Sequence, residues 1–257
     1  MANPHGNFIW YELITTDSEA AARFYGEVVG WQPADSGVPG IEYRILSDER
    51  GSAGGIMTAP PEACEKGMRS GWLGYIGVDD VDAAVAELTQ AGGAVHMAAE
   101  DIPGVGRIAM VADPQGVPFY LMRGASDEAS TAFDPKATGR VAWNELVTTD
   151  QVAALEFYIR HFGWEKAGAM PMGELGDYVF IAHGGVPIGA AMNRTPSHDR
   201  PMWNFYFRVA DIDSAAERVR RGGGEILDGP MEVPGGDYVI VGRDPQGAGF
   251  GLVGSRG

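Results

Sequence analysis

Cysteine is almost absent from this chain of 257 residues. The single thiol, Cys64, excludes an internal disulfide, and no zinc-type spacing of cysteines exists. Cys64 follows Pro60-Pro61-Glu62-Ala63, a turn-like stretch, and reads as a surface or half-buried thiol. Basic residues are scarce too. Lys and Arg number 19 against 35 Asp and Glu, a net charge of −16, which repels phosphate backbones and argues against a nucleic-acid partner. No apolar run reaches bilayer-spanning length, so no membrane partner is expected. Met1 to Phe8 carries neither a basic patch nor an apolar stretch, so no leader is read there and the cytoplasm is the expected compartment. Glycine, by contrast, is abundant at 38 residues, which points to many tight turns or close backbone approaches.

What is present is a repeat. Trp10-Tyr11-Glu12-Leu13-Ile14-Thr15-Thr16-Asp17 returns as Trp143-Asn144-Glu145-Leu146-Val147-Thr148-Thr149-Asp150, at an offset of 143 − 10 = 133. Phe24-Tyr25 and Gly30-Trp31 keep that offset. Later pairs stand 131 apart: Trp72 with Trp203, Tyr75 with Tyr206, and Asp113-Pro114-Gln115-Gly116 with Asp244-Pro245-Gln246-Gly247. The second copy has therefore lost a net two residues between Trp164 and Trp203. Gly124 to Gly139 is polar and poor in apolar residues, and reads as a linker. The expected boundaries are 7–123, a linker over 124–139, and 140–254. A weaker symmetry halves each copy: Trp10 lies seven residues before Asp17, and Leu73 seven before Asp80.

Residues 8–15 are rich in aromatic and β-branched types, which suits a strand. Asp17 then caps a helix, whose apolar face is Ala21, Phe24, Tyr25 and Val28 and whose stop is Gly30. Asp80, Asp150 and Asp211 begin three comparable helices ending near Gly92, Gly163 and Gly222; all four aspartates read as caps, not catalytic groups. Strands are expected at Glu42–Leu46, Gly55–Thr58, Arg107–Val111 and Val117–Met122, and in the second copy at Asp177–Ala182, Pro187–Met192, Asp237–Val241 and Gly249–Val253. The Asp-Pro-Gln-Gly segments fit type I turns between strands. Each quarter is thus a strand, a helix and about three strands, and one such quarter cannot cover both faces of its sheet alone.

With Leu13–Asp17, Phe24-Tyr25, Gly30-Trp31, Tyr75–Asp82, Asp113–Gly116 and their second-copy partners in hand, the chain resembles the vicinal oxygen chelate superfamily of glyoxalases, bleomycin-resistance proteins and extradiol dioxygenases. It looks most like the two-domain glyoxalase-like proteins of actinobacteria. The resemblance implies an α+β fold of four βαβββ units forming two open curved barrels. It also implies a metal, held by His and Glu from the first and last strands of each unit. The position of the first His carries Trp10, Leu73, Trp143 and Asn204 here. The second-unit Glu position carries Tyr120 and Gly251, and neither 55–60 nor 188–193 holds a carboxylate or histidine. Zn, Fe or Mn needs imidazole, carboxylate or thiolate donors, so no metal and no other cofactor is expected. His5, His96, His161, His183 and His198 read as surface residues.

Strand side chains two apart share a face. Trp10 therefore brings Glu12 and Ile14 to the cavity side, and Trp143 brings Glu145 and Val147. Leu73, Tyr75, Gly77 and Tyr120 follow in the first copy, and Asn204, Tyr206 and Arg208 in the second. Trp72 and Trp203 point the other way, toward the helices. Glu12 and Glu145 are carboxylates in otherwise apolar strands. They suit a general base, but their retention in both copies favours a structural hydrogen bond or ion pair. Gly251 is read as opening space where Tyr120 closes it, which inclines the choice of binding copy to the second. Three functions follow from these residues. The first is a metal-independent protein that binds a small, partly aromatic molecule through Trp10, Tyr75, Tyr120, Trp143, Asn204, Tyr206 and Arg208. The second is a lyase, isomerase or hydroxylase-like enzyme using Glu12 or Glu145 as base, or a relocated metal site. The third is a mainly structural or interaction protein, with filled cavities in both copies. Pairing of domains within one chain or across a homodimer stays open.

Overall fold

The computed structural model describes residues 3–37, 42–65, 67–196 and 198–257. The first copy contributes β1 (Phe8–Thr15), α1 (Ser18–Val29), β2 (Gln32–Asp35), β3 (Tyr43–Asp48), β4 (Gly51–Thr58), the short α2 (Pro61–Glu65), β5 (Gly71–Gly77), α3 (Val81–Gln90), β6 (Ala94–Ile102), β7 (Gly106–Ala112) and β8 (Pro118–Gly124). The second copy gives β9 (Val141–Thr148), α4 (Gln151–Phe162), β10 (Glu165–Pro171), β11 (Asp177–His183), β12 (Val186–Asn193), β13 (Met202–Arg208), α5 (Ile212–Arg221), β14 (Glu225–Glu232), β15 (Tyr238–Arg243) and β16 (Gly249–Gly254). The fold is α+β. Each copy forms one mixed, open eight-stranded sheet, ordered β2-β3-β4-β1-β5-β8-β7-β6 and β10-β11-β12-β9-β13-β16-β15-β14. The first strand of each quarter runs parallel to the last: β1 with β4, β5 with β8, β9 with β12, β13 with β16.

Local chemistry sets the elements. The four capping aspartates accept from the backbone N–H three residues on: Asp17 from Ala20 at 2.9 Å, Asp80 from Ala83 at 3.0 Å, Asp150 from Ala153 at 3.1 Å and Asp211 from Ser214 at 2.7 Å. Gly30 and Gly163 stop α1 and α4 in the left-handed conformation, φ 95° and 67°. In the Asp-Pro-Gln-Gly turn, Oδ1 of Asp113 accepts from the N–H of Gln115 at 2.9 Å and of Val117 at 2.8 Å, and Asp244 does the same for Gln246 and Ala248. The strands that sequence patterning missed are β2, β6, β10 and β14. These are the sheet ends; their side chains are largely exposed on both faces, so no apolar alternation marks them.

The chain packs as two compact units. One holds the N-terminal residues to Ile9, Gly74–Ser130 and Trp143–Trp203; the other holds Trp10–Leu73, Thr131–Ala142 and Asn204–Gly257. The first unit thus joins the second and third quarters, and the other joins the first and last. In the former, Trp203 Nε1 donates to the Tyr158 hydroxyl (3.1 Å), which donates to Asp113 Oδ2 (3.1 Å). Around this chain pack Phe119, Phe162 and Trp164. In the latter, Trp72 Nε1 donates to Tyr25 (2.9 Å) and Tyr25 to Asp244 (3.1 Å), among Trp31, Phe207 and Phe250. Trp72 and Trp203 are core residues on the helix side, as their strand phase requires.

Two expectations change. The segment read as a linker is partly built in. Phe133 bridges to Val141, Trp31 Nε1 donates to the Gly139 carbonyl at 2.8 Å, and the buried Arg140 guanidinium grips both carboxylate oxygens of Asp48 at 2.6 and 2.8 Å. The histidines are not all on the surface. His5 and His183 are half-buried, with ring nitrogens bonded to the His161 carbonyl (2.8 Å) and Asn7 Oδ1 (2.7 Å), and burial holds His161 and His183 below the usual imidazole pKa.

Candidate functional site

Trp143 and Glu145 share one face of β9. Across β12, on β11, Tyr178 and Phe180 share theirs. Glu145 lies opposite Ala190 of β12, and Ala190 opposite Phe180, so the three form a row. Tyr178 reaches diagonally across this row. Its hydroxyl accepts from Trp143 Nε1 at 2.8 Å and donates to Glu145 Oε2 at 2.8 Å. Phe180 stands edge-on to both Trp143 (centroids 6.1 Å apart) and Tyr178 (5.9 Å). These four side chains belong to one compact unit. Glu145 is only 9% exposed, so its bond from a neutral phenol offsets part of its desolvation.

The same construction begins the first copy, in the other unit. Trp10 Nε1 donates to the Tyr43 hydroxyl of β3 at 2.8 Å. Glu12 is buried beside them on β1 and pairs with Gly55 of β4. Gly55 occupies the place of Ala190, and a Cβ there would run into the Tyr43 ring and hydroxyl. Tyr43 therefore lies directly upon a glycine, whereas Tyr178 passes a methyl group.

The remaining expected residues fall into pairs. Tyr75 and Tyr120 are register partners on β5 and β8, and their rings stack at 4.2 Å with 14° between planes. Their counterparts Tyr206 and Gly251 are partners on β13 and β16, and a Cβ on Gly251 would meet the Tyr206 ring. Gly251 does not open space as its small size suggests; Tyr206 lies over it. Asn204 is buried. Arg208 is bound elsewhere: its Nε donates to the Pro135 carbonyl at 2.8 Å and its Nη2 to Asp237 Oδ2 at 2.7 Å, so its charge is already partnered.

Tyr43 and Tyr178 escaped the sequence reading although both strands were expected. Their offset is 178 − 43 = 135, not 133. The loop after the helix is two residues longer in the second copy, and the segment before the next strand is four shorter (131 − 135 = −4), where the first copy inserts α2. A gapped comparison of the two copies would have aligned the tyrosines.

The fit to a family-type metal can now be tested. The first-strand positions carry Trp10, Leu73, Trp143 and Asn204. An indole N–H is a donor only, and both indoles spend that donor on tyrosine. Glu145, the carboxylate nearest such a position in the second copy, accepts a phenolic proton. Among the described residues, no three His, Cys, Asp or Glu side chains stand together as a metal site. Trp, Leu and Asn at these first-strand positions are not the imidazole and carboxylate donors that such a metal takes.

Comparison with known proteins agrees with this doubled plan. Residues 7–121 and 140–252 each match the Glyoxalase/Bleomycin resistance protein/Dioxygenase superfamily. CFP32 of Mycobacterium bovis, which carries a glyoxylase designation, is 34% identical over 250 residues, covering 95% of this chain and 93% of that protein. The anthracycline biosynthesis protein DauV of Streptomyces sp. strain C5 is 31% identical over 256 residues, covering 95% and 91%. Among solved structures, a homoprotocatechuate 2,3-dioxygenase of B. fuscum superposes with a TM-score of 0.70 at 16% identity, covering 98% of this chain and 72% of that one. A Mn(II)-bound glyoxalase of Novosphingobium aromaticivorans gives 0.67 at 18% identity, covering 99% and 83%. Two family matches in tandem, over residues 7–121 and 140–252 and on two sheets of the same topology, place this chain in the Glyoxalase/Bleomycin resistance protein/Dioxygenase superfamily.

Proposed function

We propose that this protein binds a small, partly aromatic molecule against the strand faces that carry Trp10, Glu12 and Tyr43 or Trp143, Glu145 and Tyr178, without a metal. One observation carries the reading: where the family would place a cation's donors, both copies place an indole hydrogen-bonded to a tyrosine. Such faces offer flat apolar area with a few oriented polar atoms, the usual make-up of a small-molecule site. The relative DauV is named an anthracycline biosynthesis protein, which favours polycyclic aromatic compounds as ligands, and the match covers 95% of this chain and 91% of DauV. This chain's strong negative charge favours neutral or cationic ligands over anions.

The test is a thermal-shift and calorimetric screen of fused-ring aromatics, with elemental analysis of protein purified without added metal. Stabilisation by such compounds with substoichiometric metal supports the reading. Stoichiometric Zn, Fe, Mn or Ni overturns it.

The bond from Tyr178 to Glu145 favours a second reading, an enzyme in which Glu145, or Glu12 in the first copy, is a general base. That role needs a turnover that Glu145→Gln and Glu12→Gln abolish. Unchanged rates in both variants would remove it.

A further inference from the structure

β1 and β9 are each entered through a short strap of chain, and the two straps are built alike. In one compact unit the Gly6 N–H donates to the Gly77 carbonyl and the Gly77 N–H to the Asn7 carbonyl, both at 2.8 Å, while Trp164 Nε1 donates to the Gly6 carbonyl at 2.8 Å. In the other unit the Gly139 N–H donates to the Arg208 carbonyl and the Arg208 N–H to the Arg140 carbonyl, both at 2.8 Å, and Trp31 holds the Gly139 carbonyl. The two glycines stand 139 − 6 = 133 apart, the offset of the repeat. What differs is the latch. Arg140 is gripped by Asp48, whose counterpart at an offset of 183 − 48 = 135 is His183, and Asn7 replaces the arginine. Both latch residues lie against their strap: a Cβ on Gly139 would press on Asp48 Oδ2, and one on Gly6 would press on His183 Nε2.

The ion pair and the imidazole answer acid differently. Burial raises the Asp48 carboxyl, but the Arg140 bond and its neighbours lower it overall, so that latch keeps its charge in mild acid. An amide oxygen only accepts, so the 2.7 Å bond to Asn7 Oδ1 is donated by His183 Nδ1. That leaves Nε2, against Gly6, as the atom that takes a proton. His5 adds a second imidazole to the strap. Its Nε2 donates to the His161 carbonyl (2.8 Å) and its Nδ1 accepts from the Asp79 N–H (3.4 Å), an arrangement that only the neutral ring can make. Burial, then the His5 charge, lowers the His183 pKa from its usual 6.5, and the Glu165 charge on β10 opposes them. Asp79, Asp80, Glu87 and His161 line the cavity beside His5. The held strap thus binds protons less readily than a released one, whose imidazoles charge freely in water, and acid favours release.

We infer that residues 5–7 form an acid-released strap: a proton on His183 Nε2 and one on His5 Nδ1 loosen its hold on Gly77, His161 and Trp164, while the strap at 138–140 stays closed on its ion pair. Release uncovers Phe162, which is buried beside the His5 ring.

Amide hydrogen exchange on the full chain between pH 7.5 and pH 5 tests this, read as protection factors so that the intrinsic pH dependence of exchange cancels. Gly6 and Gly77 are expected to lose protection by about threefold or more relative to Gly139 and Arg208, whose equivalent bonds are the internal reference. The midpoint should coincide with the titration of the His5 or His183 imidazole, followed by NMR on the same sample. His5→Gln combined with His183→Gln keeps hydrogen-bonding side chains that do not titrate, so there the ratio should stay constant. An unchanged ratio in wild type, a midpoint that follows neither imidazole, or a ratio that still falls in the double variant would overturn the latch. If the double variant does not fold, the wild-type ratio and midpoint decide alone.

Discussion

The buried chains Trp203–Tyr158–Asp113 and Trp72–Tyr25–Asp244 are equivalent, so one substitution can be made twice as an internal control. Tyr158→Phe removes a hydroxyl that is fully buried and uses both of its hydrogen-bonding roles. The Trp203 indole N–H is left without its acceptor, at about 1–3 kcal/mol, and Asp113 loses a bond of the charge-assisted class, about 1.5–3 kcal/mol. Both bonds are 3.1 Å long, toward the weak end, so the expected loss is about 3 kcal/mol. It also depends on pH. Burial raises the Asp113 carboxyl above its usual 3.8, against the backbone bond from Val117, the Tyr158 hydroxyl and further backbone bonds, which pull it down. An acid whose folded pKa is raised binds its proton more tightly when folded. Stability is then highest below the unfolded value, falls as pH rises from there to the folded value, and is flat above it. Removing the Tyr158 donor raises that carboxyl further, so the variant loses more at pH 7 than at pH 4. Tyr158 itself stays protonated throughout, because burial and then the Asp113 charge push its pKa up. Urea denaturation followed by tryptophan fluorescence at the two pH values reads both effects, with Tyr25→Phe expected to match through Asp244. Because the chain holds two packing units, two transitions can separate. A loss below about 1 kcal/mol, or equal losses at both pH values, would refute the reasoning.

Arg140→Ala should cost up to about 3 kcal/mol by urea denaturation, because it removes the buried guanidinium of an ion pair whose carboxylate is only half-buried and so partly screened. Burial raises the Asp48 carboxyl, but the Arg140 bond, the Arg50 N–H and both arginine charges together lower it; its contribution is present above the usual carboxylate pKa and lost as pH falls through the folded one, so Arg140→Ala should also flatten the acid limb of the stability profile. Gly55→Ala should displace Tyr43, cost about 1–3 kcal/mol by overpacking and shift the Trp10 indole resonance; an unmoved resonance would contradict the fit of Tyr43 upon Gly55. Gly251→Ala should cost a similar amount by tilting the Tyr206 ring, and a neutral outcome in denaturation would mean that this ring does not depend on the glycine.

Much of the candidate site was legible from phase alone. Glu12 and Glu145 are buried, Trp10 and Trp143 share their faces, and Trp72 and Trp203 take the opposite one. Arg208 and Gly251 were misjudged because nothing near them in sequence announces Asp237, Pro135 or a ring lying flat. Tyr43 and Tyr178 were missed because each works across an intervening strand.

The duplication, the four capped helices, the Asp-Pro-Gln-Gly turns and the alternation of the inner strands are properties of residues a few positions apart, and so the amino-acid order alone determined them. Only the tertiary structure decided that the first quarter packs with the last and the second with the third, joining Tyr25 to Asp244 across 219 positions. It also decided that a tyrosine two strands away in the sheet would accept the hydrogen bond of each indole. Those choices depend on loop lengths and on which apolar faces find one another. Such long-range matters of packing leave no periodic trace in the chain.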